Sequence, residues 1–400
     1  MVKALCLGGA GRICRESVLD LAQFSDFEQI TVADVNEPEG RAVAAACDDP
    51  RVDFLRVDVA DGPAAVTAMR GYDIVLDGTT IALNGRTTAM IAEAGCHAVN
   101  LNGFGEEDAS GPVFRAHDRT CVPGFGMTPG ITQMMAMAAA NELETVDEVR
   151  VSHGAFRPIA FSRSIAETTI YEYDPALPDR VVFEDGEFVQ VPPFARPREI
   201  RLPEPFGVTT QYIIPHAETR TLAKALARRG ARMIEVRGTW PASNIQLVRA
   251  LYDWGFMRND PVSVGGGRAG VLDCIAEYLL NSREGTETEL YGYALHVEVT
   301  GQAGGRAQCH TLTHTHPTSD GSVAGWEKLR SYTRNLGIPM SIGAQMIAAG
   351  TVATTGVITP EEAFDPETIF AQLARRDIHI HHEALDVETE PTHEFADQYR

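Results

Sequence analysis

Residues 1–40 read MVKALCLGGAGRICRESVLDLAQFSDFEQITVADVNEPEG: strand, glycine turn, helix and second strand in immediate succession. Val2, Ala4, Leu5, Cys6 and Leu7 form an apolar run with no polar break after Lys3, as a strand buried on both faces requires. Gly8, Gly9 and Gly11 let the backbone turn sharply, and Arg12 to Gln23 then carries Ile13, Val18, Leu19 and Leu21 at helical spacing. The helix start points free N–H groups and the positive end of its dipole at the turn, which suits the pyrophosphate of a dinucleotide. Gly9, Ala10, Gly11, Arg12 and Ile13 are the residues expected around it. The second strand, Ile30 to Val35, carries Asp34 at its end, 23 positions beyond Gly11. An acid roughly 20 residues on reaches the adenosine ribose hydroxyls. A carboxylate there accepts from a 2′-hydroxyl and repels a 2′-phosphate, and Val35, Asn36 and Glu37 offer no arginine. The expected cofactor is therefore NAD rather than NADP. The third glycine position of the fingerprint is occupied by Cys14, which predicts slightly looser packing of helix on strand.

The 400 residues exceed one ordinary core, so two domains are expected. A formal charge of −21, with arginines scattered among acids, argues against a nucleic-acid partner. Seven cysteines, Cys6, Cys14, Cys47, Cys96, Cys121, Cys274 and Cys309, lie far apart and in no paired metal spacing, which fits a reducing cytoplasmic setting. The first residues enter a strand with no leader pattern, and no apolar run approaches membrane-spanning length, so no membrane association is expected.

Along the chain the βα pattern repeats. A helix over Glu37 to Cys47 leads to a strand over Val52 to Val59, whose end puts Asp58 and Val59 beside the adenine, with a strand-capping role for Asp58 as the alternative. A helix over Pro63 to Met69 and a strand over Asp73 to Leu76 follow, then Asp77, Gly78, Thr79 and Thr80, small and polar, where a nicotinamide ribose would lie. A helix over Gly85 to Ala94 leads to a strand over Cys96 to Leu101 that closes with Asn102 and Gly103. Five βα units before about residue 125 predict a doubly wound parallel sheet of Rossmann type, with its ligand crevice beyond the strand carboxyl ends. At Pro123 to Gly130 the texture changes, and Pro129 with Gly130 at the start of a helix from Ile131 forms a candidate wall for the nicotinamide. From Asp147 to about Trp326 the pattern is β-rich: Glu148 to His153, Arg180 to Pro192, Gly207 to Pro215, Met233 to Thr239 and Glu289 to Thr300, with helices over Ile245 to Trp254 and Val271 to Leu280. This predicts a second α+β domain with a mainly antiparallel sheet that supplies the substrate site. Helical texture returns over Leu329 to Leu336 and, after Pro339, over Ser341 to Ala349, then over Pro366 to Arg375. Residues 383–400 are acidic with little apolar period and read as a tail.

Several stretches together resemble the saccharopine dehydrogenase-like amino-acid dehydrogenases, including lysine 6-dehydrogenase. They are Gly8 to Gly11, Ala33-Asp34-Val35, Phe125 to Gly130, Ser164 with Glu172-Tyr173 and Asp174-Pro175-Ala176, Asp185-Gly186, Pro205-Phe206-Gly207, Arg237, Gly343 to Met346, and Gly356-Val357 with Pro360-Glu361. The resemblance implies a chain that returns to its nucleotide domain. Residues 1–125 and 327–382 are then expected in a split NAD-binding domain, 126–326 in the substrate domain and 383–400 in the tail. It also implies NAD-dependent oxidation of a C–N bond of an amino acid or amine through an imine. Two departures fall in the expected substrate region: Arg237 runs into Gly238-Thr239-Trp240-Pro241 without the histidine of relatives, and Arg163 stands where relatives carry an aromatic residue.

Amine oxidation needs a deprotonated nitrogen, hence a base of near-neutral pKa. His153, read as the end of the first strand of the second domain, and His216 with Glu218 are the candidates. Side chains at i and i+2 share a strand face, so Glu218 would raise the basicity of His216. For a substrate carboxylate, Arg237, Arg163 and Arg157 are the candidate forks, in that order. His310, His314 and His316, at even spacing, could share one strand face, but they read as an exposed edge strand. Hydride transfer needs no metal, and none is expected there or at His379, His381 and His382. Two other readings stand beside amine oxidation: a reductase condensing an amine with a carbonyl compound, as saccharopine- or carboxynorspermidine-forming relatives do, and a catalytically silent NAD-binding sensor. A homodimer paired through the β-rich domain is the expected assembly.

Overall fold

The computed structural model describes residues 1–159, 161–257, 260–281 and 287–387. Six strands come first: β1 (Lys3–Leu7), β2 (Gln29–Asp34), β3 (Val52–Arg56), β4 (Ile74–Asp77), β5 (His97–Asn100) and β6 (Thr120–Val122). Then follow β7 (Thr145–Phe156), β8 (Val181–Glu184), β9 (Glu187–Gln190), β10 (Arg198–Arg201), β11 (Val208–Ile213), β12 (Met233–Thr239), β13 (Val262–Val264), β14 (Gly267–Ala269), β15 (Gly292–Ala303) and β16 (Arg306–Thr315), with β17 (Gly356–Val357) and β18 (His379–Asp386) last.

The first sheet is parallel throughout, in the order β17-β6-β5-β4-β1-β2-β3. The chain runs outward from β1 through β2 to β3, then returns to β4 on the other side of β1. The strand order therefore reverses between β1 and β4, the point where a doubly wound sheet opens its ligand crevice. The apolar run of β1 has the cause read from the sequence: alternate residues go to opposite faces and both faces are covered. Ala4 and Cys6 pack with Val18 and Leu21, and Leu5 and Leu7 pack with Val66, Met69 and Ile91. The strand expected over Val52 to Val59 stops at Arg56, because Asp58 turns its carboxylate back to the Ala60 amide at 2.9 Å.

The helix Arg330–Ala348 lies against the helix Cys14–Phe24. They touch at Gly337, where an added Cβ would come within 2.7 Å of the Ile13 carbonyl, and Ser17 Oγ donates to the Gly337 carbonyl at 2.7 Å. Two ion pairs flank this contact. Glu16 accepts from Arg330 at 2.8 and 3.0 Å; Asp20 accepts from Arg376 Nε at 2.7 Å and from Ser341 Oγ at 2.6 Å. The sequence predicts a break at Pro339, yet the helix runs through it. The lost hydrogen bond and ring clash, about 3 kcal/mol, are outweighed by burial of nearly every residue from Ser331 to Ala344.

The second sheet runs β10-β11-β12-β7-β15-β16-β18, with β8 on β12 and β9 on β8. Among the described residues only the β12–β7 pair of this sheet is parallel. Three expectations are corrected. His153 is not at a strand end, since β7 continues to Phe156. β16 is not an exposed edge, because β18 pairs with it along its length and His310 and His314 are buried. Residues 379–386, expected in the nucleotide domain and the start of the tail, are that covering strand, while 388–400 lie outside the described residues. The reason is common to the last two: without a neighbour β16 would leave a row of backbone N–H and C=O groups unpaired, and His379–Asp386 pairs them.

Replacing Arg376 by Met should strand Asp20 as an unpaired buried carboxylate and cost about 3–5 kcal/mol. Urea unfolding measures it, and adding Asp20→Asn should recover a large part of the loss.

Candidate active site

The turn after β1 is shaped by close approach. Gly8 has φ +72°, and a Cβ there would stand 2.9 Å from the Gly78 carbonyl oxygen across the switch point. Gly8 N donates to the Ala33 carbonyl at 2.8 Å and Gly11 N to the Gly8 carbonyl at 2.9 Å, which fixes the turn. Among the described residues the amides of Arg12 and Ile13 donate to nothing, so the helix start offers two free N–H groups at an exposed loop. Asp34 accepts from Ala10 N at 3.1 Å and from Asn36 N at 2.9 Å, leaving lone pairs for a ribose. This combination of loop, free amides and tethered acid fits a dinucleotide. The register also sets Arg56 of β3 beside Asp34, a basic neighbour that local reading of the β2 end misses. Asp58 is exposed and Val59 half-buried beyond β3.

Cys14 does not loosen the packing as expected. A Cβ on Gly78 would fall 2.4 Å from Cys14 Cβ and 2.8 Å from its Sγ. The side chain that the fingerprint normally lacks on the helix fills the space left by glycine on the opposing strand end, so small size has moved from position 14 to position 78.

At the other end of the crevice, buried Asp77 accepts from Thr79 N at 3.0 Å and from Thr79 Oγ1 at 2.6 Å, and also from Thr87, which holds the Gly78-Thr79-Thr80 edge. Asn102 Nδ2 donates to Glu106 and Glu107, both at 2.9 Å. Here the two sheets meet. A Cβ on Gly103 would reach Gly124 Cα at 3.1 Å and Ala217 Cβ at 3.6 Å, and one on Gly124 would reach Pro129 Cγ at 3.1 Å. The ring of Phe104 lies edge-on to His216 at 6.4 Å.

His216 leads into a cluster of titratable groups. Its Nδ1 is 2.8 Å from Glu218 Oε2, and Glu218, fully buried, accepts from Thr132 Oγ1 at 2.7 Å. The pair forms, but not across one strand face: β11 ends at Ile213, and Glu218 opens a helix, Glu218–Leu226. Burial pushes the His216 pKa down, but the charge and hydrogen bond of Glu218, with the charge of Glu172, outweigh it and leave the imidazole more basic than usual. His153 sits 5.5 Å from His216 between centroids and stacks on Tyr293 at 5.7 Å, with the Tyr293 hydroxyl 3.4 Å from its Nδ1. Burial, then the charges of His216 and Arg157, hold His153 well below the usual histidine range, so it is neutral. Its ring fits only because residue 238 is glycine; a Cβ there would stand 2.7 Å from His153 Nε2.

Two family models match this chain: the saccharopine dehydrogenase NADP binding domain over residues 4–122 and the saccharopine dehydrogenase C-terminal domain over residues 126–378. The chain belongs to the saccharopine dehydrogenase family. Among solved structures it is similar to apo saccharopine dehydrogenase (L-Glu forming) from Saccharomyces cerevisiae, with TM-score 0.72 and 14% identity over 96% of this chain and all of that one. It is also similar to the homospermidine synthase of Legionella pneumophila in complex with NAD, with TM-score 0.62 and 12% identity over 100% of this chain and 94% of that one. At these identities the likeness is one of fold, that of an NAD(P)-binding oxidoreductase.

Within this saccharopine dehydrogenase family fold the three candidate arginines part company. Arg237 is held by Glu235 through two bonds of 2.8 and 2.9 Å and by the Arg196 carbonyl, so its fork is already used. This corrects its rank as first candidate; the pairing at i and i+2 on β12 was readable from Glu235. Arg163 begins the helix Arg163–Tyr171, and its side chain lies outside the described residues. Arg157 is buried, bonds Thr169 Oγ1 at 2.5 Å, lies over the Tyr332 ring at 5.7 Å, and has no carboxylate partner among the described residues. The strand histidines are engaged elsewhere: His310 Nδ1 with His382 at 2.9 Å, His314 with Leu295 N and Asn335, His316 with Tyr293 and Pro317. Among the described residues no group of three or more His, Cys, Asp or Glu could hold a metal ion, and no helix is long and apolar enough to cross a membrane. Sequence reasoning gave no role to Tyr293, Trp240 or Tyr332, and named Glu172 only as a motif residue.

Gly78→Ala should cost about 1–3 kcal/mol through overpacking against Cys14. A double-mutant cycle with Cys14→Gly, read by chemical denaturation, should show the two positions strongly coupled; independent effects would contradict the exchange of space.

Proposed function

We propose that the protein is an NAD-dependent oxidoreductase that oxidises the C–N bond of an amino acid or amine through an imine. The observation that carries this reading is the His216–Glu218 pair: a buried carboxylate makes the imidazole more basic, and the loop holding it abuts Gly103 and Phe104 at the carboxyl end of the parallel sheet. Family membership supports the oxidoreductase class.

In this reading the crevice at Gly8, Gly9, Ala10, Gly11, Arg12 and Ile13 takes the pyrophosphate, and Asp34 with Val35 takes the adenosine ribose. Asp58 and Val59 flank the adenine, while Gly78, Thr79, Thr80, Asn102 and Pro129 bound the nicotinamide end. NAD, when bound, accepts the hydride. Asp34 favours the 2′-hydroxyl form, and the protein should bind NAD at least about tenfold more tightly than NADP, with Asp34→Ala narrowing the ratio. Calorimetric titration of both dinucleotides into wild type and variant checks this.

Two proton transfers bracket hydride loss: one from the substrate nitrogen, one from the water that attacks the imine. His216 with Glu218 is built for such a transfer, and neutral His153 is an acceptor that holds the substrate in place. Arg157, whose Nε has no hydrogen-bond partner among the described residues, receives the substrate carboxylate and fixes which carbon faces the dinucleotide. A screen of amino acids, opines and polyamines for NADH formation should find a substrate. With that substrate His216→Gln should lose ~10²–10⁴-fold in kcat, while Arg157→Met should raise KM by ~10-fold or more. The assembly proposed is a homodimer through the second domain, and the compartment proposed is the cytoplasm.

A further inference from the structure

Glu172 closes the helix Arg163–Tyr171, its amide bonded back to the Thr168 carbonyl at 2.9 Å. Its own carbonyl is gripped by Arg180, which also bonds the Asp174 carbonyl at 3.2 Å, so the backbone is pinned. The next residue, Tyr173, is buried and edge-on to Trp240 at 5.6 Å, and Trp240 is edge-on to His153 at 6.0 Å. Glu172 thus stands beside the histidine cluster, close enough that its charge acts on His216. Its Oε2 is buried and accepts no hydrogen bond among the described residues. A buried carboxylate oxygen without a donor is costly in a resting protein, and a ligand that brings its own donor relieves that cost.

We infer that Glu172 is a catalytic residue: its carboxylate holds the ammonium group of the substrate and takes the first proton from it, leaving His216 to work on water. This rests on the amine-oxidising reading above. One N–H bond breaks and one O–H bond forms at Glu172, turning a cation and an anion into two neutral groups. The dinucleotide that the Gly8 to Ile13 loop and Asp34 would hold would supply the hydride acceptor, so that the C–H electron pair can leave as the nitrogen lone pair closes the C=N bond. His216 takes a proton from the attacking water and returns it to nitrogen, and as the C–N bond breaks the remaining hydroxyl proton passes by way of His216 to the departing ammonia, which releases a carbonyl compound and ammonium. The proton on Glu172 passes to solvent.

The surroundings tune Glu172 for this. Burial pushes its pKa up to about 7, against the charges of His216, Arg157 and Arg180. The other groups around it are Glu218 behind His216, His153 on β7, Tyr173 beside it, Tyr293 on β15 and Tyr332 on the helix Arg330–Ala348. The helix Val271–Asn281, packed on the other side, carries Asp273 and Glu277, both exposed. Below about pH 7 the carboxyl is protonated and can neither hold an ammonium nor take its proton, so the acid limb of kcat/KM should lie near that pH.

The test is the pre-steady-state burst of NADH with the substrate found by the amine screen, followed across pH. Glu172→Gln should slow the burst ~10²-fold or more, erase its acid limb and leave NAD affinity unchanged. His216→Gln should keep the burst, with the limb moved to higher pH because a positive neighbour is gone, and slow the later turnover. Glu172→Asp should restore a limb at a reduced rate, which decides the matter if the Gln variant loses NAD binding through misfolding. A Glu172→Gln burst within about threefold of wild type with the limb in place, or an Asp variant without a limb, would overturn the assignment and leave the oxidoreductase reading standing. Wild-type silence toward every amine, with NAD bound, would overturn both.

Discussion

The constraint on which the rest depends is the approach of two backbones at the switch point of the parallel sheet. Gly8 and Gly78 come so close that neither tolerates a Cβ: at Gly8 it would meet the Gly78 carbonyl, and at Gly78 the Cys14 side chain. That approach draws the loop tight, frees the amides of Arg12 and Ile13, and sets Asp34 against Ala10. The crevice is therefore a property of packing in the first sheet.

A second close contact carries that crevice to the chemistry. Gly103, Gly124, Pro129 and Ala217 meet where the two sheets join, and the helix from Ile131 sends Thr132 to Glu218 and Gln133 to Thr221 and Glu361. These bonds tie the start of the helix from Ile131 to the helix Glu218–Leu226 and to Glu361. Low polarity then does the tuning: one buried carboxylate beside His216 raises its basicity, while burial drives His153 down and Glu172 up.

The parallel sheet was legible in the sequence because its signals are local. An apolar run, glycines, a helical period and a terminal acid lie within one stretch of forty residues, and β1, the helix Cys14–Phe24 and β2 lie where that stretch put them, within a residue or two. The helix Glu218–Leu226 was also written locally, with Thr219, Leu222, Ala223 and Leu226 at spacings of three and four, but was hidden behind the attraction of a His-x-Glu strand pattern. What was not legible depends on distant partners. The compensation of Cys14 by Gly78 and the cover of β16 by β18 are set by pairings across sixty residues or more, which no window of sequence contains. His216 and Glu218 were named correctly as a pair for a geometry they do not have: adjacency in sequence brought them together by a loop and a helix start instead of a strand face.

The central claim is that the dinucleotide crevice and the histidine cluster open into one chamber. The most direct measurement is the imidazole resonance of His216 by NMR, assigned by its loss in His216→Gln and titrated with pH in the free protein, with NAD⁺ and with NADH. A shared chamber predicts that the positively charged nicotinamide of NAD⁺ lowers the His216 pKa relative to the NADH complex. Equal pKa values in all three states, with both dinucleotides bound, would contradict it.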